Sequence, residues 1–89
     1  MGKVYVYLLR SLADQKFYIG STTNMKRRLY EHNKGKSLYT KNLGQWELVG
    51  YEVYEEAKDA REREMKLKNS SRMRFFFKKR LLAAKGVEG

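Results

Sequence analysis

Cysteine and proline are both absent from the 89-residue sequence. The lack of cysteine excludes disulfide bonds, thiolate zinc sites and a cysteine nucleophile, and it is typical of a protein of the reducing cytoplasm. Long apolar runs are missing too, since the longest, residues 4–9 and 75–77, are far too short to span a bilayer. The N-terminus also lacks the long apolar stretch of a signal peptide. We therefore expect a soluble, cytoplasmic protein without a membrane partner.

Acidic residues are scarce relative to basic ones. The chain has ten Asp and Glu but twenty Lys and Arg, which gives a formal net charge of +10. Seven of the ten acids fall between Glu47 and Glu64, whereas residues 65–87 contain eight basic residues and no acid. Such a field attracts polyanions and raises the rate of encounter with them. A basic surface that only solubilises the protein is the alternative, but nucleic acid is the favoured partner.

Apolar periodicity predicts three strands and three helices in the order β-β-α-β-α-α. The predicted strands cover residues 3–10, 16–20 and 46–54. The predicted helices run from a cap at Thr23 or Asn24 to about Asn33, from Glu55 or Glu56 to about Asn69, and over residues 72–84 after a cap at Ser70 or Ser71. The fold class is therefore α+β, with a small three-stranded, mainly antiparallel sheet flanked by helices. We assign residues 1–84 to one domain and residues 85–89 to a flexible tail.

The first two strands are predicted to form a hairpin. If Tyr7 pairs with Tyr18, the connection is a loop of about four residues, a common hairpin length. Residues opposite each other in such a pair point to the same side of the sheet. Two tyrosyl hydroxyls are therefore expected side by side on one face.

The first helix is predicted to carry two functional side chains beside its apolar stripe of Met25 and Leu29. Positions four apart share a face, so Arg28 and His32 lie along the edge of that stripe, whereas Arg27 is solvated on the opposite side. Gly35 is the expected stop of this helix, and residues 36–44 are expected to form a polar loop. A single His beside an apolar stripe is more often structural, so His32 by itself is a weak signal.

One carboxylate stands out in the second helix. Ala57, Ala60 and Leu67 form its predicted apolar stripe, and Glu64 lies inside that stripe. A carboxylate on the buried side of a helix is costly unless it is paired or bound to a metal. Glu64 is therefore either an ion-pair partner of Lys68 at i+4 or a metal ligand. One His and no Cys exclude a closed zinc site, and an oxygen-ligated Mg²⁺ (or Mn²⁺) fits better.

The last helix contains three consecutive phenylalanines, residues 75–77. They point in three directions, and we expect at least two of them to pack in the core. The surrounding cations are expected to form a solvated, phosphate-binding face that comprises Arg72, Arg74, Lys78, Lys79 and Arg80.

Four short stretches together resemble the GIY-YIG endonuclease family. Residues 5–7 (Tyr-Val-Tyr) and, after ten intervening residues, residues 18–20 (Tyr-Ile-Gly) are similar to the two motifs that name the family. Residues 26–32 (Lys-Arg-Arg-Leu-Tyr-Glu-His) resemble its first helix, and residues 60–69 resemble its metal-binding helix. The likeness runs from about Lys3 to Arg80 and is greatest to the small stand-alone bacterial members of the UPF0213 type.

The resemblance implies hydrolysis of DNA phosphodiesters with one divalent ion, usually Mg²⁺. By position, Tyr7 and Tyr18 would be the paired motif tyrosines, Arg28 the stabiliser of phosphoryl charge, and Glu64 the metal ligand. His32 would take or relay a proton. A tyrosine with its usual pKa of ~10 is a poor base at neutral pH, but a nearby metal ion and Arg28 would lower the pKa of Tyr7. The identity of the base, Tyr7 or His32, stays open.

The resemblance also implies contacts with the substrate and leaves other functions open. The residues assigned to nucleic-acid binding are Gly20, Arg27, Lys68, Asn69, Arg72, Arg74 and Lys78. Three positions depart from the family pattern, namely Tyr5 for Gly, Ser21 for a lysine found in some relatives, and Ser70 for an aromatic residue. We expect a monomer that uses a protein partner for targeting. The alternatives are a non-catalytic nucleic-acid-binding module and an adaptor that binds a protein through its phenylalanines.

Overall fold

The computed structural model describes residues 2–35 and 45–85. The predicted loop at 36–44 and residues 86–89 of the predicted tail lie outside this part of the chain. The strands are β1 Val4–Ser11, β2 Phe17–Thr22 and β3 Trp46–Tyr54. The helices are α1 Met25–Asn33, α2 Ala57–Asn69 and α3 Ser71–Lys85. The order β-β-α-β-α-α and the α+β class are confirmed, and none of the helices described has the length and apolarity needed to cross a membrane.

The sheet has β1 at its centre and helices on both sides. The strand order is β2-β1-β3 and both pairings are antiparallel. Because side chains alternate along a strand, β1 supplies two separate apolar clusters. Val6 and Leu8 pack with residues of α2 and α3, whereas Tyr7 and Leu9 pack on the side of α1. The central strand is thus buried on both faces, and β2 is left as an edge strand.

The predicted hairpin register is wrong by two residues. Tyr7 pairs with Gly20, and Tyr18 pairs with Leu9. The loop of four residues lies between Ser11 and Lys16, where the Ser11 amide donates to the Lys16 carbonyl at 2.7 Å. A shift of two residues leaves every side chain on its original face. The two tyrosines therefore still share a face, with ring centroids 6.2 Å apart.

Local capping decides where the helices begin and end. The Asn24 side chain accepts a hydrogen bond from the Arg27 amide at 3.0 Å, so Asn24 is the N-cap of α1. Gly35 follows α1 with a φ of 76°, as expected of a helix stop. The Ser70 hydroxyl accepts from the Met73 amide at 3.2 Å and caps α3. Of the predicted alternatives, the cap of α1 is therefore Asn24 and not Thr23, and the cap of α3 is Ser70 and not Ser71.

Two expectations about helix faces are wrong. Ala57 is exposed, so the apolar stripe of α2 consists of Ala60 and Leu67. Of the three phenylalanines only Phe77 is buried, whereas Phe75 is 58% and Phe76 is 52% exposed. The physical reason is geometric, because neighbouring positions on a helix differ by about 100° and only one narrow face of α3 packs against the rest of the protein.

Candidate active site

The Tyr7 ring lies directly over Gly20 on the α1 face of the sheet. Tyr7 is only 1% exposed. A Cβ atom at position 20 would lie 2.6 Å from the Tyr7 hydroxyl oxygen and 2.8 Å from its Cζ atom. Real Cβ atoms do not come so close to other atoms. Gly20 was expected to let the backbone approach the site closely, and in the structure the group that occupies this space is the Tyr7 phenol.

The Tyr7 hydroxyl connects β1 to two side chains of α1. The Tyr7 hydroxyl and His32 Nε2 are 3.0 Å apart, and Arg28 Nε donates to the Tyr7 oxygen at 3.3 Å. Arg28 Nη1 also donates to Glu31 Oε1 at 3.0 Å, which holds the guanidinium from its other side. Because Arg28 donates to the phenol oxygen, the phenol proton can be directed to Nε2 of a neutral imidazole.

Burial controls the ionisation of these groups. Burial raises the pKa of Tyr7 to about 12, although its hydrogen bond with Arg28 opposes this change. Burial and the positive charge of Arg28 lower the pKa of His32 to about 4. Burial also acts to lower the pKa of Arg28, but hydrogen bonds with Tyr7 and Glu31 outweigh it and raise the value. At neutral pH the phenol and the imidazole are therefore uncharged, and Arg28 is a cation.

Tyr18 completes this group on the same face. Its ring centroid lies 4.8 Å from that of His32. Lys68, which belongs to α2 on the opposite face of the sheet, places Nζ 5.9 Å from the centroid of the Tyr18 ring. Because β2 is an edge strand, a side chain of α2 can reach Tyr18 past the open rim of the sheet.

Glu64 lies at the same rim and is held by two neighbours. Lys68 Nζ is 2.7 Å from Glu64 Oε2, and the Ser21 hydroxyl donates to Glu64 Oε1 at 2.6 Å. The side chain of Glu64 is 19% exposed, so one of its sides remains accessible. The predicted ion pair with Lys68 is confirmed.

Ser21 is the residue that sequence reasoning missed. It was treated as the site of a missing lysine contact, yet its hydroxyl fixes the orientation of Glu64. A signal was present, because alternation along β2 places Ser21 on the opposite face from Gly20 and hence on the side of α2. The contact joins residues that are 43 positions apart in sequence, so alternation alone could not identify the partner.

The donor set at this rim fits a hard divalent ion. Mg²⁺ is commonly held by one or two carboxylates together with phosphate and water oxygens, and Glu64 supplies one such carboxylate. Within residues 2–35 and 45–85 there is no group of three or more His, Cys, Asp or Glu side chains suited to a metal. In this part of the chain the protein itself thus supplies Glu64 alone, and the other ligands of an ion held there would have to come from water or from a substrate.

A cleft leads from Tyr18 towards α3. Its volume is about 390 Å³, and Lys68, Arg74 and Lys78 line it together with Phe17, Tyr18 and Ile19. Three of the residues assigned to nucleic-acid binding are thus brought together here. Arg74 also has a structural task, since its Nη1 donates to the carbonyls of Leu67 and Lys68 at 2.9 and 2.8 Å, at the end of α2.

Three other residues assigned to nucleic-acid binding do not line this cleft. The Arg27 side chain is 65% exposed and lies 3.7 Å from Glu31, so the prediction that it is solvated is confirmed. Asn69 lines a different cleft on the side of α2 that carries Met65 and Lys66. Arg72 is stacked over the Phe76 ring, 5.8 Å from its centroid.

Comparison with known proteins adds family-level information. The family model described as the GIY-YIG catalytic domain matches residues 3–79. A UPF0213 protein from Natronomonas pharaonis is 41% identical over 80 residues, which are 89% of this chain and 89% of the relative. A UPF0213 protein from Clostridium perfringens is 33% identical over 85 residues, or 94% of this chain and 87% of the relative. The solution NMR structure of a UPF0213 protein from Bacillus halodurans superimposes with a TM-score of 0.54 and 33% identity, covering 94% of this chain and 86% of that one.

Proposed function

Because the chain belongs to the GIY-YIG catalytic-domain family, we propose that it is a metal-dependent endonuclease that hydrolyses DNA phosphodiester bonds. The observation that carries this proposal is that five side chains lie around β2, four of them on its α1 face and the fifth, Glu64, on its α2 face, where Lys68 links it to Tyr18. They come from four different elements and are Tyr7, Tyr18, Arg28, His32 and Glu64. A protein that only binds DNA needs cations, but it does not need a largely buried carboxylate that is bonded to Ser21 and linked to Tyr18 through Lys68. The cleft from Tyr18 to Lys78 would accept the adjoining strand.

Arg28 is the group that would stabilise negative charge on the phosphoryl oxygens. Its guanidinium is held by Tyr7 and Glu31 before substrate binds, so little reorganisation is needed when charge develops. Loss of a single electrostatic stabiliser of this kind lowers rates by about 10² to 10³. Arg28→Gln is therefore expected to reduce the cleavage rate by at least about 10².

We assign the transfer of the proton to Tyr7 and His32 together. Tyr7 with a pKa of about 12 is a poor base by itself. In the proposed relay the Tyr7 oxygen takes a proton from the attacking water while its own proton passes to His32 Nε2, 3.0 Å away. The negative charge that develops on the phosphate would stabilise the imidazolium. This assignment uses both candidate bases, and it predicts that Tyr7→Phe and His32→Gln each impair cleavage.

Glu64 is the residue that would hold the divalent ion, Mg²⁺ or Mn²⁺. When bound, such an ion polarises a phosphoryl oxygen and lowers the pKa of a bound water. Ser21 would keep Oε1 of Glu64 in place during binding, and Lys68 would be released from Oε2. Released from the carboxylate, the Lys68 ammonium would remain beside Tyr18 as a phosphate contact.

The test compares two isosteric substitutions on the same helix. Glu64→Gln removes the charge of the proposed ligand, and Glu62→Gln is the matched control, because Glu62 also pairs with a lysine one helical turn away, Lys58 at i−4, but is 56% exposed. Labelled single-stranded, duplex, flapped and branched DNA would be incubated at low salt with Mg²⁺, Mn²⁺ or EDTA. We expect metal-dependent cleavage by the wild type and by Glu62→Gln, and a loss of at least about 10² in Glu64→Gln.

Thermal unfolding and DNA affinity serve as controls for folding. We expect Glu64→Gln to unfold within a few degrees of the wild type and to bind DNA as well. Binding of every DNA without cleavage in any metal would contradict the proposal and favour a non-catalytic nucleic-acid-binding module. The cleavage panel also identifies the DNA structure preferred, and a preference for flaps or branches would support a role in DNA repair or processing. We also propose that the protein is a cytoplasmic monomer and that a protein partner directs it to its DNA target.

A further inference from the structure

A second cleft continues the first one along α3. Its volume is about 560 Å³. It shares Phe17, Arg74 and Lys78 with the cleft that begins at Tyr18, and its other lining residues are Ser71, Phe75, Lys79 and Leu82. The two clefts are therefore adjacent, and we call them together the α3 groove. It leads from the candidate active site to the exposed ring of Phe75.

The chemistry of the α3 groove combines cations with flat apolar rings. Among the residues that the structure describes, its lining includes Lys68, Arg74, Lys78 and Lys79 but no Asp or Glu. Lys78 Nζ lies 4.9 Å from the centroid of the Phe17 ring, and Lys79 Nζ lies 5.8 Å from that of Phe75. Each aromatic ring of the outer groove thus has an ammonium group beside it. Nucleotides present the complementary pair, a phosphate and a planar base.

We propose that the α3 groove binds an unpaired DNA segment that adjoins the scissile phosphate, with Phe75 as the platform on which a base stacks. The proposal rests on the proposed function, since the groove opens at Tyr18. In a duplex both faces of a base are covered by neighbouring bases, so a ring such as Phe75 can stack only on a base that has left the stack. Lys78 and Lys79 would contact the phosphates on either side of that base.

Phe76 provides a matched control on the same helix. Its ring is 52% exposed, compared with 58% for Phe75, and a cation, Arg72, lies 5.8 Å from its centroid. It lines another cleft, together with Arg63, Met73, Phe77, Lys79, Arg80 and Ala83. That cleft shares Lys79 with the outer part of the α3 groove, but no lining residue with the cleft that contains Tyr18. The Phe75 and Phe76 rings also meet edge to face, with centroids 5.3 Å apart, so the control variant is Phe76→Leu, which keeps an apolar side chain against Phe75. An effect of aromatic character in general would act at both positions, whereas the proposal concerns Phe75.

The experiment measures binding in EDTA, so that it does not depend on cleavage. Fluorescence anisotropy would compare an oligothymidylate, a strand of the same length with abasic sites in place of its bases, and a blunt duplex. Base stacking on an aromatic ring is worth roughly 1–3 kcal/mol, which is at least about fivefold in affinity. We expect Phe75→Ala to bind the oligothymidylate at least about fivefold more weakly, Phe76→Leu to stay within about twofold, and Phe75→Trp to bind about as well as the wild type.

The abasic strand and the duplex separate stacking from charge. On both of these ligands Phe75→Ala should bind like the wild type, because neither offers a free base. Lys78→Ala should weaken binding to all three ligands. Equal losses in Phe75→Ala and Phe76→Leu, or an equal loss of Phe75→Ala on the abasic strand, would overturn the proposal and favour a protein partner for the exposed rings. If the wild type cleaves no DNA but the effect of Phe75→Ala depends on bases, the groove stands while the endonuclease proposal fails.

Discussion

At the scale of single residues, Gly20 and Tyr7 fill one space. A Cβ atom at position 20 would lie 2.6 Å from the Tyr7 oxygen, and Tyr7 is buried between the sheet and α1. We expect Gly20→Ala to displace the phenol, to break its alignment with His32 and Arg28, and to lower the cleavage rate by roughly tenfold or more, since small displacements of catalytic groups can cost 10²-fold. Cleavage rates and urea unfolding of the variant would check this.

Gly50→Ala is the control for that substitution. Gly50 also lies in a strand, but its added Cβ would meet the Cδ2 atom of Leu81 at 3.0 Å, the end of a flexible side chain. This variant should retain cleavage even if it loses some stability. A Gly20→Ala protein with full activity would show that the position of the Tyr7 phenol does not matter for the reaction.

His32 makes stability depend on pH. It is the single histidine of the chain and is buried with a pKa of about 4 instead of its ordinary 6.5. Between pH ~6.5 and 4 the imidazole is protonated in the unfolded chain but neutral in the folded chain. The free energy of unfolding is therefore highest above pH ~6.5 and falls as the pH drops towards 4. Urea unfolding between pH 7.5 and 5, where few carboxylates titrate, should show this loss, and His32→Gln should remove it. A wild-type stability that is flat over this range would contradict the burial of a neutral imidazole.

At the scale of elements, Glu52 of β3 ties the two long helices to the sheet. Arg63 of α2 donates to both of its oxygens, at 2.9 and 3.1 Å, and the Tyr54 hydroxyl donates at 2.7 Å. Arg80 of α3 also binds this carboxylate. Because Glu64 follows Arg63 directly in α2, this anchor also fixes the turn of helix that presents Glu64 to the rim of β2.

We expect Glu52→Gln to lower the free energy of unfolding at pH 7 by about 2 kcal/mol, the typical worth of hydrogen bonds to a charged group. Burial acts to raise the pKa of Glu52, but its bonds with Arg63, Tyr54 and Arg80 outweigh it and hold the value below 4.5. The contribution of these bonds to stability is therefore complete above the pKa that Glu52 has in the unfolded chain. It is lost as the pH falls through the lower pKa that Glu52 has in the folded protein. Urea unfolding at pH 7 and pH 3 should show a difference that narrows in acid.

Glu55→Gln is the control for the anchor. Glu55 also pairs with a cation, Lys3 at 3.2 Å, but its side chain is 78% exposed. Exposed pairs contribute little to stability, so this variant should differ from the wild type by less than ~0.5 kcal/mol. Equal losses in the two variants would mean that the Glu52 anchor has no special role.

At the scale of the whole molecule, a net charge of +10 should dominate affinity for DNA. Each phosphate contact releases counterions, so the logarithm of the binding constant falls linearly with the logarithm of salt concentration. Lys78→Ala in the α3 groove should reduce the magnitude of this slope by about 1. Lys58→Ala, which removes a lysine that is 79% exposed and paired with Glu62, should leave it nearly unchanged. Anisotropy titrations at several salt concentrations would measure both slopes, and equal slopes would argue against a phosphate contact at Lys78.

The sequence by itself determined the features that depend on neighbours along the chain. Alternation of apolar residues predicted β3 with its observed bounds, Trp46–Tyr54, because the period of a strand is a local property. Helical periodicity predicted that Arg27 is solvated and that Glu64 lies at a protected position. The placement of Tyr7 and Tyr18 on one face was also predictable, since a register error of two residues does not change the face of a side chain.

Tertiary structure alone decided which distant groups meet. The hairpin register was mispredicted because a shift of two residues preserves the alternating pattern, so only the turn after Ser11 selects the observed pairing. Which of the three phenylalanines is buried depends on the orientation in which α3 packs against the rest of the protein. The sequence of α3 does not specify that orientation, because apolar residues lie on several of its faces. The contact of Ser21 with Glu64, like the fit of the Tyr7 ring over Gly20, needs atoms from separate elements at hydrogen-bond or van der Waals distance. Periodicity in the sequence indicates the direction in which a side chain points, but not its distance from groups on other elements. The chemistry of this site depends on those distances.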